Sequence, residues 1–124
     1  MSELIYKDES YEIVGVCMEV HNVLGGGLLE VIYKDAIEWE ADGRMLIYER
    51  EKEFPVYYKS HLLRRSFNAD FIFFEKIIVE IKAKEYISDS DVAQTINYLR
   101  LSRCKLGLLI NFAKSKLDVK RIVY

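Results

Sequence analysis

Long apolar runs are missing from this 124-residue sequence. None approaches the roughly 20 residues that a helix needs to cross a bilayer, so no membrane-spanning segment is expected. The opening residues, Met1-Ser-Glu-Leu-Ile-Tyr-Lys-Asp8, lack the basic start and continuous apolar core of a signal peptide, and a cytoplasmic location is the expectation. Cysteine is scarce. Cys17 and Cys104 stand alone without metal-type spacing, which reads as buried, reduced, structural thiols. Internal repeats, low-complexity tracts and linker-like stretches are absent as well, so residues 1–124 read as a single domain. No strong excess of one charge is present either. A net charge of −2 excludes a simple polybasic nucleic-acid binder, because phosphate recognition rests on Lys and Arg.

Hydrophobic residues make up 51% and charged residues 31% of the sequence, the balance of a folded globular chain rather than a disordered one. The charge is unevenly spread. Acids exceed bases from Met1 to Glu53, whereas Lys59, Arg64, Arg65, Lys82, Lys84, Arg100, Arg103, Lys105, Lys114, Lys116, Lys120 and Arg121 enrich the remainder in positive charge. A basic face and an ordinary mixed surface are both compatible with that distribution.

Helical periodicity runs from Tyr11 to Leu24 through Ile13, Val16, Cys17 and Val20, and Gly25-Gly26-Gly27 ends it. A second helical pattern covers Leu28 to Ala41, with Asp42-Gly43 placing a glycine where a left-handed cap is expected. Strand signals follow at Met45–Tyr48, Phe54–Tyr58, Leu62–Phe67, Asp70–Phe74 and Ile77–Lys82. Ser88-Asp-Ser-Asp91 supplies capping residues for a helix over Val92–Leu101, and strands are expected at Leu106–Asn111 and Val119–Tyr124. The predicted order is therefore ααβββββαββ, an α/β (α+β) unit.

Within this pattern Asp70, Glu80 and Lys82 interrupt apolar strands, where charge is costly unless it is paired or bound. Glu80 and Lys82 share one strand face, and Ile77, Val79 and Ile81 the other. Register decides whether Asp70 joins them. A two-residue turn at Glu75-Lys76 pairs Phe74 with Ile77 and separates the carboxylates, whereas pairing Phe73 with Ile77 sets Asp70 opposite Glu80. An odd-length connection or a bulge is what a shared site requires. Two carboxylates with the Ile81 carbonyl as a third oxygen suit Mg²⁺, and Lys82 beside them could orient or deprotonate a water.

Three further constellations accompany this one. Gly27-x-x-Glu30-x-x-Tyr33 spaces its residues along one helix side, with Leu29 and Ile37 flanking it, so Glu30 reads either as a boundary residue or as a third acid. Gln94 and Tyr98 lie one helical turn apart and can hold a water or a phosphate oxygen. His21, four residues before Gly25, either touches such a site or is a satisfied packing histidine.

Taken in order, Glu19-Val-His21, the glycine turn, Gly27-x-x-Glu30-x-x-Tyr33, Asp70, Glu80-Ile-Lys82, Gln94-x-x-x-Tyr98 and Leu106-Gly-Leu-Leu-Ile-Asn-Phe112 resemble the GxxExxY family of the PD-(D/E)XK nuclease superfamily over nearly the whole chain. Ala69 stands at the superfamily's Pro position, and Gly26 where many members of the family carry Pro. The resemblance implies a central mixed β-sheet flanked by helices and a Mg²⁺- or Mn²⁺-dependent nuclease acting on nucleic acid, DNA first. It further implies Asp70 and Glu80 as ligands, Lys82 as the catalytic lysine, Glu30 as a helix-borne acid, and Gln94 with Tyr98 as an accessory pair. Two other readings stay open: a binding or homodimeric module that keeps the fold without turnover, nine tyrosines and six phenylalanines furnishing its surface, and acids that merely pair with Arg64, Arg65 or Lys82.

Overall fold

The computed structural model describes residues 4–124. The apolar spacing of three and four that marks the first helix becomes α1, Lys7–Leu24, which buries Ile13, Val16, Cys17 and Val20. Burial of Cys17 pushes its thiol up to about 12, which leaves it inert. Gly25 takes φ +71°, a conformation that a side chain resists, and turns the chain toward α2, Glu30–Gly43. Two boundaries differ from expectation. Gly27 lies in the turn rather than on the helix, and the left-handed position after α2 falls on Met45 instead of Gly43.

Strand content is consolidated relative to the sequence reading. The five short segments expected before the third helix are three strands, β1 (Tyr48–Tyr58), β2 (His61–Phe73) and β3 (Ile77–Lys82), because the polar residues between the apolar runs remain paired across the β1–β2 hairpin. Then follow α3 (Asp89–Ser102), β4 (Leu106–Phe112) and β5 (Leu117–Val123). Ser88 caps α3 by accepting from the Asp91 amide while Asp91 accepts from the Ser88 amide, a reciprocal box that satisfies two otherwise unpaired donors.

The strands form one sheet in the order β1-β2-β3-β4-β5. Only β3 and β4 run parallel, joined by the α3 crossover; every other neighbouring pair is antiparallel. Helices α1 and α2 cover one face, packing on Phe71, Phe73, Val79, Ile81, Leu108 and Ile110. Helix α3 covers the other through Leu99, against Ala69, Ile72, Ile78, Leu109 and Ile122. Sandwiched between these layers, β4 is buried at every position, which explains its uninterrupted apolar sequence. β1 lies on the sheet edge. Pro55 is tolerated there because an edge strand has one unpaired side, and the β1–β2 register slips just after it, between Pro55 and Tyr57. No helix among the described residues is long and apolar enough to cross a membrane.

Candidate metal and catalytic site

The β2–β3 turn decides the site. Lys76 N–H donates to Phe73 C=O across Phe74 and Glu75, both at left-handed φ near 60°, the pattern of a tight primed turn. The ladder nevertheless pairs Phe73 with Ile77, leaving Lys76 as an extra residue. This is the odd connection that a shared site requires. Ladder pairing between the strands extends from Phe73/Ile77 to Phe71/Val79 and stops there.

Beyond that point the carboxylates replace the ladder. Asp70 N–H donates to Glu80 Oε2 at 2.8 Å, and Ile81 N–H donates to Asp70 Oδ2, also at 2.8 Å. Each acid thus satisfies a backbone donor that the departing partner strand would otherwise leave empty. Glu80 is only 4% exposed. Burial and the adjacent Asp70 charge push its carboxyl up to about 8, against the downward pull of the Asp70 amide and the Lys82 and Lys34 charges.

Neither Arg64, Arg65 nor Lys82 pairs with Asp70; the partner is Lys34 on α2. Its Nζ lies 3.0 Å from Asp70 Oδ1 and 2.7 Å from Glu51 Oε1. Burial opposes the Lys34 charge, but the hydrogen bonds to Glu51 and Asp70 outweigh it and hold the ammonium above the usual lysine range. Lys34 is one turn beyond Glu30 on the same helix side, a spacing that offered a signal for it. Glu30, the first residue of α2, is exposed as a whole, yet partial burial of its carboxyl and the Asp70 charge raise its pKa, while Lys82, Lys34 and Lys84 pull it down.

On the opposite face α3 brings Tyr98 toward the fork. Burial, and then the Glu80 and Asp70 charges, raise the pKa of its phenol. The Tyr98 ring stacks on Phe67 at 4.6 Å, and Phe67 on Phe54 at 5.0 Å. Gln94 is exposed one turn earlier on the same helix. After β3 the chain is clipped by Asn111, fully buried, whose Oδ1 accepts from Lys84 N–H and whose Nδ2 donates to Lys84 C=O. The Lys84 ammonium lies 2.6 Å from Asp91, and that bond, with the Ser88 amide, holds the Asp91 carboxyl down at about 2. A cavity of about 410 Å³ opens beside this segment, lined by Gly27, Leu28, Lys84, Phe112 and Lys114 among others. It lies past the carboxyl ends of the parallel strands, where open α/β sheets place ligands.

Tyr33 and His21 are structural. The Tyr33 hydroxyl donates to Gly25 C=O at 2.6 Å and accepts from Leu28 N–H, and its ring stacks on Phe112 at 4.4 Å, so it fastens the glycine turn from within the core. His21 Nε2 lies 2.8 Å from Ala113 O. Gly26 has a separate constraint: a Cβ there would fall 2.3 Å from Lys114 Cα, so the turn and the β4–β5 connection touch backbone to backbone.

The donor set fits a hard divalent ion. Two adjacent carboxyl groups, the Glu80 one raised in pKa first by burial and then by the Asp70 charge, form an oxygen-rich pair whose ionised state a cation would favour. Among the described residues no three His, Cys, Asp or Glu side chains stand close enough to share an ion. Glu30 therefore does not complete a three-carboxylate cage, and an ion here would keep several waters, as Mg²⁺ commonly does.

A model of the PD-(D/E)XK nuclease superfamily matches residues 7–122. Among solved structures, the crystal structure of SSO0001 superposes with a TM-score of 0.62 at 19% identity, covering 95% of this chain and 59% of that one. The likeness is one of fold, and this chain spans less than two thirds of that protein's length. No curated protein matches the sequence.

Proposed function

The chain belongs to the PD-(D/E)XK nuclease superfamily, whose members generally use divalent metals and act on nucleic acid, and from that premise we propose a Mg²⁺- or Mn²⁺-dependent nuclease that hydrolyses phosphodiester bonds of DNA. The observation that carries the reading is the fork at Asp70 and Glu80 with the Lys82 charge beside it. In this reading Asp70, Glu80 and the Ile81 carbonyl would hold the ion. When bound, it stabilises charge on the phosphoryl oxygens and makes water a better nucleophile.

The chain's own groups do the rest. Lys82 orients the attacking water and offsets phosphate charge. Glu30 adds a further carboxyl near Asp70 from the first turn of α2. Tyr98 donates its hydroxyl toward a phosphate oxygen, and Gln94 steadies the same strand from the helix surface. Lys34 fixes Asp70 in the rotamer that leaves Oδ2 on the Ile81 amide.

The test is cleavage of labelled DNA with Mg²⁺ or Mn²⁺ by wild type, Asp70→Ala and Lys82→Ala, each checked for folding by circular dichroism. Metal-dependent cutting that both variants lose while staying folded is the expected result. Failure of the wild type to cut with either metal, or full activity in both variants, refutes it. A second reading, a homodimeric module, is favoured by Trp39, which is 81% exposed beside Val23 on the outer side of α1 and α2. A stable dimer that binds neither metal would support that reading instead.

A further inference from the structure

Beyond Pro55 the β1–β2 hairpin leaves the body of the protein. Residues 57 to 66 are exposed without interruption, on both faces of the ribbon, whereas β2 from Ala69 onward is largely buried. A two-stranded ribbon solvated on both sides is poorly stabilised by itself, and this one ends in Tyr57, Tyr58, Leu62 and Leu63, all exposed. Its charge is of one sign. Lys59, Arg64 and Arg65 contribute three positive charges with no acid between residues 57 and 66, in a chain of net charge −2.

The ribbon is also joined to the site. Arg65 precedes Asp70 by five residues on the same strand, a span of about 17 Å at ~3.4 Å per residue. At its root, Phe54 and Phe67 stack in series on Tyr98, the α3 residue that faces Glu80 and Asp70.

We propose that residues 57–66 form an arm that grips duplex DNA beside the scissile bond; this rests on the nuclease reading above. Arg64, Arg65 and Lys59 meet the phosphates, and the ribbon's width suits the major groove of B-form DNA, roughly 12 Å across, rather than the deep, narrow groove of A-form RNA. The reach from Arg65 to Asp70 corresponds to about five base pairs at ~3.4 Å each, so the arm contacts the duplex about half a helical turn from the cut.

The triple variant Lys59→Ala/Arg64→Ala/Arg65→Ala alters exposed side chains only and leaves the ligand set intact. Fluorescence anisotropy with EDTA present, so that no metal-dependent cutting intrudes, would compare it with wild type on duplex DNA, single-stranded DNA and duplex RNA over a salt series. Duplex DNA binding should weaken at least ~10-fold near 0.1 M salt, with the log–log salt slope shallower by about 2 to 3. Single-stranded DNA and duplex RNA should lose markedly less. Unchanged duplex affinity, equal losses on all three, or no binding by wild type would each overturn the arm. Weakened duplex binding without cutting under any metal would leave the arm standing and sink the nuclease instead; cutting with unaltered variant affinity does the reverse.

Discussion

Replacing Glu80 by glutamine isolates the electrostatic cost of the fork. The amide keeps a carbonyl oxygen for the Asp70 N–H and removes only the ionisable charge. The ordinary glutamate value is 4.5, and in the metal-free fold burial and then the Asp70 charge push the Glu80 carboxyl up to about 8. Its folded pKa is raised, so the stabilisation that comes from holding the proton is fully present below 4.5 and is lost as pH rises through 8. Each pH unit in that window is worth about 1.4 kcal/mol, a total on the order of 5 kcal/mol at most, a large part of a typical folding free energy. The glutamine variant has no such loss. Urea unfolding at several pH values from 5 to 8, with EDTA present, should show wild type and Glu80→Gln close in stability at the acid end. The variant should gain steadily toward pH 8. Taking the difference between the two proteins cancels other titrating groups that the substitution leaves alone. A stability difference independent of pH, or one that shrinks as pH rises, would refute the account of two acids confined in a poorly solvated fork.

Two other substitutions test the surroundings. Lys34→Met removes the cation from Asp70 and Glu51, and should cost the metal-free protein about 2 kcal/mol while tightening Mn²⁺ binding several-fold, since less positive charge then competes at Asp70; urea unfolding and titration calorimetry report the two effects, and unchanged or weaker Mn²⁺ binding would contradict them. Asn111→Ala unclips both polar groups of the Lys84 backbone, with an expected loss of ~2 kcal/mol or more and a fall in kcat exceeding any rise in KM, because the strand end carrying Lys82 loosens; denaturation and steady-state cleavage measure it.

Much of this site was legible because its groups are local in sequence. Strand alternation placed Glu80 and Lys82, and the need to bring Asp70 opposite Glu80 predicted an odd connection. What the residues did not reveal is how that connection forms, since left-handed Phe74 and Glu75 violate ordinary turn preferences. Lys34 carried a faint signal in its one-turn spacing from Glu30, but Glu51 and Asn111 reach the site from elements whose packing no local pattern specifies. The hairpin's sequence has the pattern of shorter strands because polar residues interrupt its apolar runs, yet cross-strand pairing needs no apolar side chain to continue. Tyr33 carried its spacing for a different purpose, holding the glycine turn closed.

The substitution of carboxylates for ladder hydrogen bonds also couples chemistry to backbone motion. The amides of Asp70 and Ile81 are protected from solvent exchange only while Glu80 and Asp70 accept from them. Any event that draws those oxygens away, whether an arriving ion or a phosphate, is transmitted to two named peptide groups. Their hydrogen-exchange rates therefore serve as a built-in reporter of the occupancy of the fork, readable without substrate and without a label.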